Sequence, residues 1–214
     1  MLFRSTALGW NDSFERAFEE YRARPDLEPA RIVIEFNHLY RVVTRAGEVD
    51  ATISGRVKHR AGSRGELPAV GDWVALRRQP GHSLASIVAV LPRRSRFSRG
   101  SAGTVTDEQV LAANVDVVFV VMGLDGDFNP RRLERYLLLA RESGADPVIL
   151  LTKPDLAPDL AARIEEVSAV AAQVPAHVVS PKHNEGLAHV AAYLRPGTTG
   201  ALLGSSGVGK TTII

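Results

Sequence analysis

Apolar residues recur along this chain with two different periods, and the change from one to the other divides it. Near the start, Phe14, Ala17, Phe18 and Tyr21 fall on one face at helical spacing. A helix is therefore expected there, with Asp12 as its cap, Glu15 completing a capping box and Pro25 ending it. From residue 31 the signal changes to short β-rich runs at 31–36, 39–44, 49–57, 72–76 and 86–91, separated by Gly47, Gly62, Gly65, Gly71 and Gly81. Five short strands with glycine turns and no helix between them predict a small antiparallel barrel, of which the OB-fold is the common five-stranded form.

Beyond residue 103 strand and helix alternate. Residues 115–122 form a continuous apolar run, as a strand buried on both faces requires. Asn129 then caps a helix with Pro130 in its first turn; Leu133, Tyr136, Leu137 and Ala140 supply its inner face, and Gly144 stops it. Further strands are expected at 147–152, 177–180 and 201–204, with helices at 158–173 and 185–194. That rhythm predicts an α/β sheet with crossover helices. The expected organisation is a helical extension over 1–30, a barrel over 31–92, a basic linker over 93–103 and an α/β domain over 104–214, with a boundary near Ala102.

Composition narrows the class. The 214 residues are 45% hydrophobic, enough for one domain or two modest ones. No apolar run reaches about 18 residues and no secretory signal opens the chain, so the cytoplasm is the expected location. The absence of cysteine excludes disulfides and thiolate metal sites from this chain. Six scattered histidines with no pair at helical spacing read as ordinary residues rather than ligands. The net charge of +2 hides an asymmetry: residues 1–103 carry 17 Lys and Arg against 11 Asp and Glu, whereas 104–214 carry 9 against 13. The basic half points to a polyanion, most simply RNA, with Arg56, Lys58, Arg60, Arg77, Arg78, Arg93, Arg94, Arg96 and Arg99 as candidate contacts. Two readings stay open here, since the barrel can be a scaffold only and the cluster at 93–99 can be solvated linker charge.

Two stretches carry chemistry. In Gly204-Ser205-Ser206-Gly207-Val208-Gly209-Lys210-Thr211, followed by Thr212, the glycines let the backbone wrap a phosphate, so that N–H groups and a helix N-terminus face the anion. Lys210 is expected to reach the β and γ phosphates and the Thr211 hydroxyl to ligate Mg²⁺. Thr152-Lys153-Pro154-Asp155 falls at the carboxyl end of an expected strand, where open α/β sheets bind ligands. A carboxylate there accepts two hydrogen bonds from the N1–H and N2–H₂ edge of guanine, and adenine offers no matching donor pair. Asp155 is the expected base reader, with the Lys153 stem packed over the base plane. Ser180-Pro181-Lys182, at the next strand end, is a weaker candidate for meeting the guanine carbonyl through a backbone N–H.

The base-reading loop precedes the phosphate loop, the reverse of ordinary small GTPases, and with its surroundings the chain resembles the RsgA family of circularly permuted GTPases. The resemblance rests on Gly71-Asp72-Trp73-Val74, Asn114-Val115-Asp116, Asp127-Phe128-Asn129, Arg131-Arg132-Leu133-Glu134-Arg135-Tyr136, Leu151 to Leu156, and Gly204 to Lys210. It implies an OB-fold barrel followed by a permuted P-loop GTPase domain. It also implies GTP hydrolysis with Mg²⁺, stimulated by the small ribosomal subunit during late maturation, with the barrel on ribosomal RNA. A monomer is expected, and a zinc-binding domain is expected only beyond this chain. Two departures stand out. Thr152 replaces the usual Asn, which braces the loop and contacts the base. The chain stops four residues after Lys210, so the switch segments are expected to lie beyond Ile214, the strand at 201–204 to be an unpaired edge, and the chain as it stands to lack catalytic residues. An RNA-binding module without nucleotide affinity and an ATP-dependent P-loop enzyme are the alternatives.

Overall fold

The computed structural model describes residues 6–37, 39–78, 81–99 and 109–214, excluding the Arg99 side chain. It forms two compact units, Met1–Val115 and Asp116–Ile214. The expected boundary near Ala102 lies outside the described residues.

The first helix, α1 (Asp12–Arg22), is capped one residue earlier than expected: the Asn11 side chain accepts from the N–H groups of Ser13 and Phe14. Glu15 is consequently free of capping duty and pairs with the Trp10 indole and with Arg22. Five strands follow, β1 (Leu27–Phe36), β2 (Leu39–Thr44), β3 (Gly47–Ile53), β4 (Trp73–Arg77) and β5 (Ala85–Val90). They close a barrel in the order β1-β2-β3-β5-β4, the strand order of an OB-fold. Two expectations are corrected. The barrel is not wholly antiparallel, because β3 and β5 run parallel through Ala51↔Ala85 and Ile53↔Ile87. Nor is it free of helix: the third strand stops at Ile53, and the Ser54 side chain accepts from Val57 N–H to start α2 (Gly55–Arg60). The first strand also begins before residue 31, with Leu27 to Ala30 paired to β4. A proline at position 29 hides that start from a strand-propensity reading.

Inside the barrel Ile32, Tyr40, Val42, Val74, Leu76 and Ile87 form one core. On its outside Phe14 and Phe18 of α1 pack with Trp73, Ala75 and Leu91. Strand β4 thus buries both faces, and α1 covers the outer one to make a second apolar cluster. Each of these large side chains contributes about 1.5–3 kcal/mol by leaving water.

Residues 93–99 of the expected linker pack as part of this unit. Arg96–Arg99 (β6) pairs antiparallel with Gln109–Ala113 (β7), and the segment is fixed by a buried ion pair. The Asp72 side chain is 0% exposed. Its carboxylate accepts from Arg93 Nε at 2.8 Å, from Arg93 Nη2 at 2.7 Å and from Ala69 N–H at 2.8 Å. Arg93 also donates to the carbonyls of Gly65 and Leu67. Asn114 ties the end of β7 to the same turn, donating to Gly71 O at 3.0 Å and accepting from Arg94 N–H at 2.9 Å. Position 71 must be glycine, since it has φ +92° and a Cβ there would lie 2.1 Å from Ala113 O.

The second unit is a parallel sheet. Its strands β8 (Val117–Gly123), β9 (Asp146–Thr152), β10 (Ala176–Val178) and β11 (Gly200–Leu203) lie in the order β10-β9-β8-β11. Helices α3 (Pro130–Glu142), α4 (Leu160–Ala171) and α5 (Leu187–Tyr193) connect them, and α6 (Lys210–Ile213) follows β11. Every residue of β8 is buried, as its unbroken apolar run requires. The chain builds outward from β8 to β10, then returns to place β11 on the other flank of β8. The order reverses at β8, and open α/β sheets bind ligands at the carboxyl ends of strands where that happens.

Arg93→Ala strands the Asp72 carboxylate in the interior. It should lower the stability of the barrel unit by about 3–5 kcal/mol, read as a lower urea midpoint for that unit. Lys58→Ala, exposed on α2, should change stability by no more than about 0.5 kcal/mol.

Candidate functional site

The phosphate loop springs from the end of β11 and is shaped by three glycines. Gly204 lies so close to β8 that a Cβ would stand 2.4 Å from Val121 O. Gly207 and Gly209 take φ of +73° and +101°, a region that side chains disfavour. Between them Val208 turns inward and is 3% exposed, packed with Val121, Leu150 and Val179. One apolar side chain thereby anchors the loop, and Gly209 opens α6 without a capping side chain. Lys210 folds back over its own loop, its ammonium donating to Gly204 O at 2.8 Å and Ser205 O at 2.6 Å. Those carbonyls hold the charge where an anion's oxygens would compete for it.

Thr152 ends β9 and is 1% exposed. Its hydroxyl donates to Val208 O at 2.7 Å, joining the base-reading loop directly to the phosphate loop. Lys153 follows in the left-handed conformation, φ 57°, and Pro154–Leu156 is a 3-10 turn that presents Asp155 to solvent. At the end of β10, Ser180 is buried. Its N–H donates to Glu185 O at 2.9 Å, and its hydroxyl meets His183 Nδ1 at 2.8 Å. The Ser180 N–H is therefore already engaged within the turn. Pro181 has no N–H, so Lys182 supplies the next backbone donor of the turn.

These pieces converge on one cleft of about 360 Å³ lined by Thr152, Lys153, Asp155, Leu156, Ser180, Pro181, Lys182, Gly207, Val208, Gly209 and Thr212. Its size suits a small ligand. Gly204, Ser205, Ser206 and Lys210 build the loop beside it, Pro154 shapes the turn without lining it, and Thr211 is exposed on the side of Phe119 and Leu202. Two participants escaped the sequence reading. Leu156 adds an apolar wall, and Asp125, in the turn after β8, receives the Lys153 ammonium at 2.6 Å. A carboxylate just past a strand end that neighbours β9 was the available signal for the second.

The candidate RNA contacts separate into two groups. Arg56, Lys58 and Arg60 stand exposed together on α2. Arg93 is committed to Asp72, Arg77 pairs with Asp26 at 2.8 Å, Arg78 with Glu28 at 2.5 Å, and Arg94 lies 5.5 Å over the Phe14 ring. For these four the fold already uses the guanidinium. Arg96 is exposed on β6, and the Arg99 side chain lies outside the described residues.

An OB-type barrel with a parallel sheet whose phosphate loop follows its base-reading loop defines a circularly permuted P-loop GTPase architecture. A family model described as RsgA GTPase matches residues 90–214. A curated relative from Opitutus terrae, named small ribosomal subunit biogenesis GTPase RsgA, is 47% identical over 98% of this chain and 59% of its own length. One of the same name from Syntrophotalea carbinolica is 42% identical over 97% of this chain and 58% of its own. The chain belongs to the RsgA GTPase family, and it spans under three-fifths of the length of these two relatives. Among solved structures, YjeQ from Thermotoga maritima matches 87% of this chain and 63% of its own, with a TM-score of 0.70 and 21% identity. YloQ, described as a circularly permuted GTPase, matches 89% and 64% with a TM-score of 0.64 and 19% identity. Both show the same fold.

Thr152→Val keeps the shape of the buried side chain and removes its donor. The Val208 carbonyl then loses its partner, and the α/β unit should lose about 1–3 kcal/mol, measured as a lower melting temperature of that unit.

Proposed function

We propose that this chain binds a guanine nucleotide in the cleft between its base-reading and phosphate loops, within a GTPase that hydrolyses GTP to GDP and phosphate. The observation that carries the reading is the convergence of Asp155, the Ser180 turn and the phosphate loop on one cleft. Asp155 accepts from N1–H and N2–H₂ of the base, Lys182 N–H meets the base carbonyl, and the Lys153 stem covers the ring. The loop amides of residues 204–212 hold the phosphates, and Lys210 exchanges its two carbonyl partners for phosphate oxygens. Mg²⁺ fits Thr211: its hydroxyl is exposed in the first turn of α6, next to Lys210, and Mg²⁺ keeps most of its remaining ligands as water and phosphate. When bound, the ion neutralises phosphate charge. Among the described residues no three His, Asp or Glu side chains gather.

The partner we propose is the small ribosomal subunit, named in the curated relatives, with the subunit stimulating hydrolysis during late maturation in the cytoplasm. Support for RNA contact comes from the barrel, an architecture that often holds oligonucleotides, and from the exposed Arg56, Lys58 and Arg60 of α2. The protein acts as a monomer in this reading.

Nucleotide titrations test the first part. GDP and GTP should bind and ATP should not, Lys210→Ala should abolish binding, and Asp155→Asn should weaken GDP by about two orders of magnitude through the loss of two charge-assisted hydrogen bonds. Equal affinity for ATP, or unchanged GDP binding in Asp155→Asn, would sink it. For the second part, neutralising Arg56, Lys58 and Arg60 should reduce the salt slope of subunit binding by about 0.7–0.9 for each RNA phosphate that they neutralise. An unchanged slope removes α2 from the interface.

A further inference from the structure

Asp125 lies outside every motif that the sequence singles out, yet it holds one of their residues. Its Oδ2 accepts from Lys153 Nζ at 2.6 Å, and its Oδ1 accepts from Asp127 N–H at 3.2 Å. The strand ends carrying the two partners are themselves joined, with Leu124 N–H donating to Thr152 O at 2.9 Å. Gly123 makes room for the arrangement, because a Cβ there would stand 2.7 Å from Asp125 Oδ1. The hydrogen bond from Lys153 holds the Asp125 carboxyl below the usual carboxylate range, so it is a carboxylate at neutral pH.

The turn that presents Asp125 is anchored from two helices. Arg132 of α3 pairs with Asp127 at 2.7 Å, and the Arg163 guanidinium of α4 lies 4.4 Å from the centroid of the Phe128 ring. Asp125 is thus offered from a fixed turn to a lysine whose backbone already sits at φ 57°. An unpaired lysine stem samples many rotamers, and freezing them when a ligand arrives subtracts from affinity.

We infer that Asp125 is a positioning residue for guanine-nucleotide binding, fixing Lys153 so that its stem lines the cleft before the nucleotide arrives. This rests on the guanine reading of the cleft given above. Base choice stays with Asp155, and Asp125 sets how much affinity Lys153 delivers. A carboxylate that only shaped its own turn, by accepting from Asp127 N–H, would instead be felt whether or not Lys153 is present.

The test is a titration of fluorescent GDP, at fixed Mg²⁺ and salt, against the chain and its Asp125→Asn, Lys153→Ala and doubly substituted forms. Asp125→Asn keeps the shape of the side chain and should weaken GDP about three- to tenfold. The double form should bind no more weakly than Lys153→Ala alone, because the effect of Asp125 passes through the lysine. Lys153→Met, which keeps the stem and removes the ammonium, should reproduce the weakening from the other partner and decides the matter if Asp125→Asn does not fold. Wild-type affinity in Asp125→Asn or in Lys153→Met, or an additive weakening in the double form, overturns the inference while leaving the guanine site standing. If the unsubstituted chain shows no preference for guanine nucleotides, the reading of the cleft fails and this inference falls with it.

Discussion

The site depends on one pairing, the parallel register of β11 against β8. Gly200 lies opposite Val117 and Leu203 opposite Val120, and the Asp116 carboxylate accepts from Thr199 N–H across 83 residues of sequence. This pairing brings a late phosphate loop beside a base-reading loop that the chain completed much earlier. The approach is close enough that Gly204 cannot carry a side chain, and the Thr152 hydroxyl then seals the two loops at Val208. Loop order along the chain is therefore immaterial to the cleft. What matters is that β11 finds the open flank of β8, which leaves β11 with β8 as its only strand neighbour among the described residues.

The α/β half was readable because each of its signals has one dominant cause. A strand buried on both faces must be apolar throughout, as β8 is, and an Asn-Pro pair ahead of an amphipathic run caps a helix, as Asn129 does. The barrel was harder. The parallel pairing of β3 with β5 is a property of closure, which no local pattern encodes, and α2 has six residues, too few for periodicity to register. The cap of α1 illustrates competition between adjacent candidates: Asn11 and Asp12 both suit the role, and backbone geometry at Asn11 settles it. In the site, residues tied to backbone shape were legible, whereas Asp125 was not, because its role exists only through a neighbouring strand.

Charge followed a different logic. The basic excess of the first half reads from sequence as one attractive field, but the fold divides it. Arg93 is consumed neutralising a fully buried carboxylate, where removal would leave an uncompensated charge. Arg77 ends β4 and Arg78 follows it, and both pair with acids at the start of β1, fastening one end of the β1–β4 seam. Arg56, Lys58 and Arg60 gather on a short helix and add to the surface potential. Net charge predicts the field at a distance, and contacts decide which residues can deliver it.

Thr152 shows how a substitution can divide one residue's work. In the usual motif an Asn both braces the loops and touches the base, using two amide protons. Threonine has a single hydroxyl proton, and here it goes to Val208 O at 2.7 Å, with Met122 O at 3.4 Å too distant to compete. The bracing function is kept in full, since a buried carbonyl is satisfied and the loops stay joined. In the guanine site proposed above, the base contact is the part surrendered. In that proposed site discrimination falls to Asp155, whose carboxylate matches two guanine donors, while the affinity that the missing amide would have supplied falls to the stem of Lys153. A lysine asked to supply binding through its stem gains from being held still, and the carboxylate that holds it stands in the turn after the neighbouring strand. The Thr152 substitution and the Asp125 ion pair are in this sense two parts of one arrangement.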